Sequence, residues 1–593
     1  MQNMSRLLLL ISSYCRSLLL PARVLSCLLL SLLAIGTVNA QPTVPLLNIT
    51  GAPAELERNI RAHISLASLG CDASAVRLNR ALPGIRQNLV RASRALGFYH
   101  LTSTLALERT ADCWQLNIAV VPGAAVTIAA VEIKVAESEE LFAGLLENMP
   151  LQSGATLNHG VYERLKSDLS AAAVEQGFFG ARFASSQLLL DLERNTANIH
   201  IDFAPGARHR FGDLKIAPIE ELSDAFIRRY IEFTADSWYS AEALIELRNA
   251  LNNSLYFSEV SVTPSLSEVA DERVPIDISL RARPRRVYSV GAGVTTDIGP
   301  RVRVDYEDRY LNQSGHKLDL RAGASPIQQN LDATYLIPMQ NPATERLQIS
   351  SGFLREDNDT YQNLTSKLGV SYSFINFFDW QQNYFINFQH DDYTLNEQVE
   401  VADILLPGVN LSRTSADDAL YPTRGWRLFG QLSGASSDLL STTTFLQLNL
   451  SGKLIRSIGS SRFLFKFDVG TSIVDDLFEL PVSLKYFSGG DQSVRGYRYQ
   501  SLGPLNAAGE VEGGKHVLSA GVEFDFPIAN NWKLAVFTDV GNAFNDWKDY
   551  KLNQSVGMGI RWLSPIGPIR FDLASALDED NKLRLHVTMG PDL

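Results

Sequence analysis

Residues 445–454 read FLQLNLSGKL. Successive side chains of an extended strand point to opposite faces. Leu446, Leu448 and Leu450 therefore share one face, and Gln447, Asn449 and Ser451 the other. The pattern recurs. RFLFKFDVG (462–470) sets Phe463, Phe465, Phe467 and Val469 against Lys466 and Asp468. GVEFDF (521–526) sets Val522, Phe524 and Phe526 against Glu523 and Asp525. KLRLHVTMG (582–590) sets Leu583, Leu585, Val587 and Met589 against Arg584, His586 and Thr588. A soluble sandwich would turn the charged face to water. A membrane barrel would turn the apolar face to lipid and the charged face to a wet lumen.

Three features favour the barrel. Such segments are many and are separated by polar turns. Aromatic residues gather at strand ends, as in SFINFFDWQQNYFINF (373–388), where an interfacial girdle would lie. The chain also reads as exported. Arg6, Arg16 and Arg23 precede the apolar run VLSCLLLSLLAIG, and TVNA then places small or apolar residues at Val38 and Ala40. That pattern predicts a signal peptide over 1–40. After residue 40 no apolar run is long enough for a membrane helix. The region 286–593, at roughly 19 residues per strand and connection, predicts an antiparallel β-barrel of about 16 strands.

The first half has another rhythm. RQNLVRASRALGFYHLTSTLALE (86–108), YERLKSDLSAAAVEQGFFGARFASSQLLLD (162–191) and AEALIELRNALNNSLYFSEVSVTPSL (241–266) share one order. Each is an amphipathic helix, a tight turn, two aromatics and an alternating strand. Gly97, Gly177 and Leu255 anchor the turns at intervals of about 80 residues. Ser240 is placed to cap the third helix. Three α+β modules are expected, over 41–123, 124–206 and 207–285. Phe98, Tyr99, Phe178, Phe179, Tyr256 and Phe257 are expected to pin helix to sheet as core residues. Small sheets of this kind leave open edges that can accept a strand from another chain.

Beyond the targeting segment the cysteines are Cys71 and Cys113. In an oxidising compartment they predict one disulfide, with two buried thiols as the alternative. The formal net charge of −12 argues against nucleic acid as a partner. No CxxC or HExxH suggests a metal site, so neither a metal nor a cofactor is expected. No GxSxG, P-loop or defined carboxylate pair suggests an enzyme. The GAGV at 291–294 lies in a strand, without nucleotide-binding context.

Four motifs follow one another through the second half: YPTRGW (421–426), GGDQSVRGYRY (489–499), FTDVGNAF (537–544) and GMGIRWLSPIGPIRFDLA (557–574). With three modules before them, they resemble the superfamily of POTRA-domain outer-membrane assembly proteins. The likeness is to its TamA branch. It rests on SVRGYRYQSLGP, the first barrel strand VGAGVTTDIGPRVRV (290–304), the ending MGPDL and three modules rather than the five of BamA or the two of two-partner secretion transporters. No plug helix is seen over 41–50.

The resemblance implies that the loop carrying Gly489, Gly490, Val494, Arg495, Gly496 and Tyr497 folds back into the lumen as a lid. It implies that Arg495 pairs with an acidic residue on the inner wall. Asp539 matches, and the alternation puts it on one face with Phe537 and Gly541. Asp572, inward with Arg570, is a second partner open to it. The first strand (about 287–297) is expected to pair with the last (about 582–590). Gly291 and Gly293 would weaken that lateral seam, or else relieve crowding in the lumen, and Gly590 and Pro591 would shorten it. The implied task is insertion or secretion of autotransporter-type outer-membrane proteins. The implied partners are a TamB-like inner-membrane-anchored protein docked on the first module, unfolded outer-membrane clients and membrane lipid. The helix PGIRQNLVRASRAL (83–96) and the open sheet edge are the expected docking surface. Two-partner secretion of one exoprotein and a passive pore or receptor are the competing readings.

Overall fold

The computed structural model describes residues 44–593, apart from 68, 111, 112, 377, 566, 580–582, 591 and 593. The signal peptide expected over 1–40 and Pro591 lie outside the described residues. One compact unit ends at His209 and a second begins at Arg210.

In the first unit, β1 (Leu46–Thr50), α1 (Ala54–His63), α2 (Ala75–Ala95), β2 (Thr102–Arg109) and β3 (Trp114–Val121) form the first module. β3 is central, parallel to β1 and antiparallel to β2. Ile85, Leu89 and Ala92 recur at helical spacing on α2 and meet Leu116, Ile118 and Val120 of β3. Each buried aliphatic of this kind stabilises the module by roughly 1.5–3 kcal/mol. The helix starts earlier than Pro83. Ser74 caps it, its Oγ accepting from the Arg77 N–H at 3.3 Å. The buried Leu78 holds the first turn, so Pro83 costs one backbone bond without ending the helix. Cys71 and Cys113 are joined in a disulfide.

The second module repeats the plan with β4 (Thr127–Val135), α3 (His159–Glu175), β5 (Arg182–Asp191) and β6 (Thr196–Ala204), in sheet order β4-β6-β5. In the second unit, β7 (Arg210–Ile216), α4 (Ala241–Asn253), β8 (Phe257–Pro264) and β9 (Arg273–Ala282) make the third, in order β7-β9-β8. Ser240 Oγ accepts from the Ala243 N–H at 3.3 Å, capping α4 as its position suggested. The three turn anchors share left-handed backbone, with φ of 84° at Gly97, 87° at Gly177 and 64° at Leu255. Glycine adopts that conformation without strain, and Leu255 bears it with a side chain.

The paired aromatics are not all core residues. Phe178, Tyr256 and Phe257 are buried. Phe98 is only partly buried, against its own module. Tyr99 instead leans on the second module's core, its Oη 2.6 Å from His159 Nε2. Phe179 meets the edge of His209, with 5.3 Å between the rings. The second aromatic of each of the first two pairs thus leaves its own core, because its neighbour already fills the space between helix and sheet. In the third module Tyr256 donates to the Gly315 carbonyl, which seats the module on a turn of the barrel.

Sixteen strands follow, from β10 (Arg286–Thr295) to β25 (Leu583–Met589), each antiparallel to its sequence neighbour. The alternation sorts as expected. Leu446, Leu448, Leu450, Val522, Leu583 and Leu585 are exposed on the outer face. The interleaved Gln447, Glu523, Asp525 and His586 are buried on the inner one. The expected pairing of first strand with last is not seen. β10 and β25 are the two edges of the sheet, and no ladder joins them among the described residues. At Gly590 the chain takes φ of 136° and leaves the strand path. An edge amide of β25, the Val587 N–H, bonds to the Thr296 side chain at 3.2 Å in place of a backbone partner.

Candidate functional site: the ionic cluster under the lid loop

The connection between β20 (Ser461–Val474) and β21 (His516–Ala529) is the long segment 475–515, and it is deeply buried around Arg495. Gly489, Gly490 and Gly496 hold φ of 96°, 105° and 95°, where a side chain would be strained. A Cβ on Gly490 would stand 2.6 Å from Asp297 Oδ2, and one on Gly496 would stand 3.0 Å from the Ala576 nitrogen. These glycines let the loop lie directly on the wall. Val494 and Tyr497 are fully buried with Leu502 and Ala576. Tyr497 Oη donates to the Gln554 carbonyl at 3.1 Å.

Arg495 is held by four polar contacts from its side chain. Nε and Nη2 fork onto Asp539 at 2.7 and 3.0 Å. Nη1 reaches Glu523 at 2.8 Å and Asp572 at 2.9 Å. Its backbone N–H also donates to Asp539, at 3.2 Å. The guanidinium stacks 3.4 Å from the centroid of Phe537. The two partners left open by the sequence are therefore both engaged, and a third, Glu523, joins them.

The carboxylates come from three walls. Glu523 lies on β21, Asp539 on β22 (Trp532–Phe544) and Asp572 on β24 (Gly567–Ala576). Between the last two runs β23 (Asn553–Ser564), which supplies Arg561. Arg561 Nε donates to Glu523 at 2.9 Å, and its Nη1 contacts Asp572. Lys466 Nζ stands 3.8 Å from Asp539 and donates to the Gln492 and Ser493 carbonyls at 3.0 Å each. Three cations (Lys466, Arg495, Arg561) thus face three carboxylates (Glu523, Asp539, Asp572), and the formal charges cancel. A buried arginine without such partners would cost several kcal/mol. Its planar fork suits the bidentate hold on Asp539.

The remaining motif residues explain themselves here. A Cβ on Gly557 would run into the Phe537 ring, and one on Gly559 would stand 2.6 Å from Arg561 Nη1. The glycines of GMG make room for both groups. YPTRGW serves a second cluster. Tyr421 lies 3.7 Å under the Arg462 guanidinium, and the Pro422 carbonyl accepts from Arg462 Nη1 at 2.7 Å. Arg462 also holds Asp525 at 2.9 Å and Asp592 at 3.0 Å, and Arg570 contacts Asp592 as well. Asp592 therefore sits on the inner face of the barrel. Glu523, Arg561, Arg462, Asp525 and Asp592 were not singled out from sequence, although the first and fourth stood on the charged face of GVEFDF.

At the seam, a Cβ on Gly291 would meet nothing within 4 Å, and one on Gly293 would meet only the Arg301 side chain. Crowding therefore does not call for glycine at 291. Asp297, Asp491 and His586 bring potential ligand atoms within 4.8 Å of one another. His586 Nε2 accepts from the Gly496 N–H at 2.8 Å, so Nδ1 carries the proton and points it at Asp491. With that proton in place Nδ1 has no lone pair for an ion.

A sixteen-strand sheet with an apolar outside, a charged inside and a loop salt-bridged into its lumen defines an outer-membrane barrel, preceded in the chain by three α+β modules. The model of the Omp85 superfamily domain matches residues 288–592, and the chain belongs to that superfamily. Residues 46–122 match the model of POTRA domain TamA domain 1. The outer membrane protein assembly factor BamA of Nitratidesulfovibrio vulgaris is 21% identical, covering 61% of this chain and 48% of its own length. BamA of Neisseria meningitidis serogroup B is also 21% identical, covering 72% of this chain and 63% of its own. The chain thus spans about half to under two thirds of the length of these relatives. The crystal structure of BamA from Haemophilus ducreyi lacking POTRA domains 1–3 shares the fold, with a TM-score of 0.65, 16% identity and coverage of 78% of this chain and 99% of that one.

Proposed function

We propose that this chain is an outer-membrane assembly factor of the TamA kind, which inserts or secretes autotransporter-type proteins at the seam between β10 and β25. The observation that carries the reading is a seam without a ladder among the described residues, beside a plugged lumen. A passive pore needs a clear lumen, and the ionic cluster under Arg495 holds the lid loop across it. Edge strands with free amides and carbonyls can template an incoming strand. Gly291 and Gly293 favour this use, since glycine in a strand adds no packing to hold the edge in place. The match of the first module to POTRA domain TamA domain 1 favours a TamB-like, inner-membrane-anchored partner there. The open edges of β1 and β2 and the exposed side of α2 are the surfaces offered to it. Membrane lipid is the second cargo of this reading, reaching the outer membrane through the same pair.

Crosslinking of cells that carry a tagged copy, followed by identification of what is joined to residues 41–284, tests this function. Recovery of a very large, β-rich, inner-membrane-anchored protein on the first module is expected. Recovery of assembly lipoproteins alone would move the chain to the BamA kind. Recovery of a single secreted exoprotein would replace the reading by two-partner secretion.

A further inference from the structure

The two edges of the barrel sheet meet a third element where β10 ends, at the end of that strand remote from the third module. Thr296 and Asp297 follow β10, His586 and Val587 belong to β25, and Asp491 and Gly496 belong to the lid loop. Five hydrogen bonds connect them. The Asp491 N–H donates to Asp297 Oδ2 at 2.7 Å. Thr296 Oγ1 donates to Asp491 Oδ1 at 2.8 Å and accepts from the Val587 N–H at 3.2 Å. His586 Nδ1 donates to the same Asp491 oxygen. The Gly496 N–H donates to His586 Nε2 at 2.8 Å. A hydroxyl can give one hydrogen bond and accept others, and a neutral imidazole can give one and accept one. Each group is used in the only sense open to it.

We propose that the lid loop is the clasp of the seam: Asp491 and Gly496 hold β10 to β25 through Thr296, Asp297 and His586, and release of the loop frees both edges. Three features support this. Asp491 and His586 are both buried, at 9% and 4% exposure, so their bonds do not compete with bulk water. Among the described residues no ladder is available to hold the edges if the clasp is lost. The loop is anchored four residues beyond Asp491 by Arg495, so the ionic cluster and the clasp are linked through one short peptide. Lid docking and seam closure then become one event, and a client that displaces the loop opens its own entry. The clasp stands on geometry alone; only its use by a client rests on the proposed function.

Hydrogen exchange read by mass spectrometry on the full chain in lipid nanodiscs tests the clasp without any client. Thr296→Val removes two of the five bonds and His586→Phe removes another two. Each is expected to speed exchange in peptides spanning β10 and β25 by on the order of tenfold. The double variant should go no further than the singles, since both break one unit. Thr296→Ser keeps the hydroxyl and should exchange as the parent does. Peptides from β15 (Tyr361–Ile375) and β16 (Gln381–Leu395), on another part of the wall, should not change. Parent-like exchange at both edges in both variants overturns the clasp, as does an additive double variant or an equal rise in β15 and β16. A clasp that passes this test while client assembly proves independent of the protein would leave the geometry standing and remove the proposed function.

Discussion

Arg495→Ala takes one cation from a buried cluster of three and leaves three carboxylates facing two. Asp539 is fully buried, and it loses both arms of the guanidinium fork. Lys466, at 3.8 Å, remains its nearest cation. Removing one partner of a buried ion pair costs about 3–5 kcal/mol, since the other is left uncompensated. The loss falls on docking of the loop, because Glu523 and Asp572 keep Arg561. The assay is protease cleavage within 485–515 across a urea series, with the barrel folded in micelles. The expected result is a midpoint shifted to lower urea by the equivalent of about 3 kcal/mol or more. Arg495→Ala with Asp539→Asn restores two charges against two. It should recover about 2 kcal/mol relative to the sum of the single losses. Arg495→Lys should fall between, since an ammonium cannot fork onto a carboxylate. An unshifted midpoint in Arg495→Ala, or strict additivity with Asp539→Asn, would refute the cluster as the lock of the lid.

Reduction of Cys71–Cys113 opens a link between residues 42 apart and is expected to destabilise the first module by about 2–4 kcal/mol, read as a lower first transition in calorimetry with reductant. Burial lowers the His159 pKa from its ordinary value. Its contribution is therefore present above the unfolded value of about 6.5 and is lost as pH falls through the lower folded one. Melts of the full chain between pH 7 and pH 5 should show the early transition weaken on acidification, and His159→Asn should flatten that dependence. Gly490→Ala meets both a left-handed backbone and Asp297 at 2.6 Å, and should expose the lid loop to protease without altering the modules.

The barrel was legible because its period is local. In FLQLNLSGKL each side chain's face follows from its neighbours, and the lipid-facing leucines declare the outside. The modules were legible for the same reason, down to the cap at Ser240 and the tight turns anchored at Gly97 and Gly177. What escaped depends on register across many strands. Arg495 reaches carboxylates 28, 44 and 77 residues away, and only the closed order of β21 to β24 brings all three to one guanidinium. Sequence offered Asp539 and Asp572 as alternatives, whereas the fork and the third nitrogen let Arg495 take both. The clasp was hidden likewise, since Thr296 and Val587 lie 291 residues apart. The unpaired seam could not be read at all. Strand propensity in VGAGVTTDIGP and KLRLHVTMG says that each is extended, not whether they meet. The start of α2 was missed because Pro83 reads as a helix opening, while the true cap at Ser74 lies in a less patterned stretch.

The central claim is that clients enter at the β10 edge. A photoreactive amino acid at Val290, 81% exposed on β10, and the same group at Phe353, 52% exposed on β14 (Arg346–Asp357), can be activated in cells secreting a tagged autotransporter. The account predicts a covalent adduct from Val290 to the client's last strand and none from Phe353. Equal yields from both sites, or none from Val290 while the client still needs this protein to assemble, would contradict it.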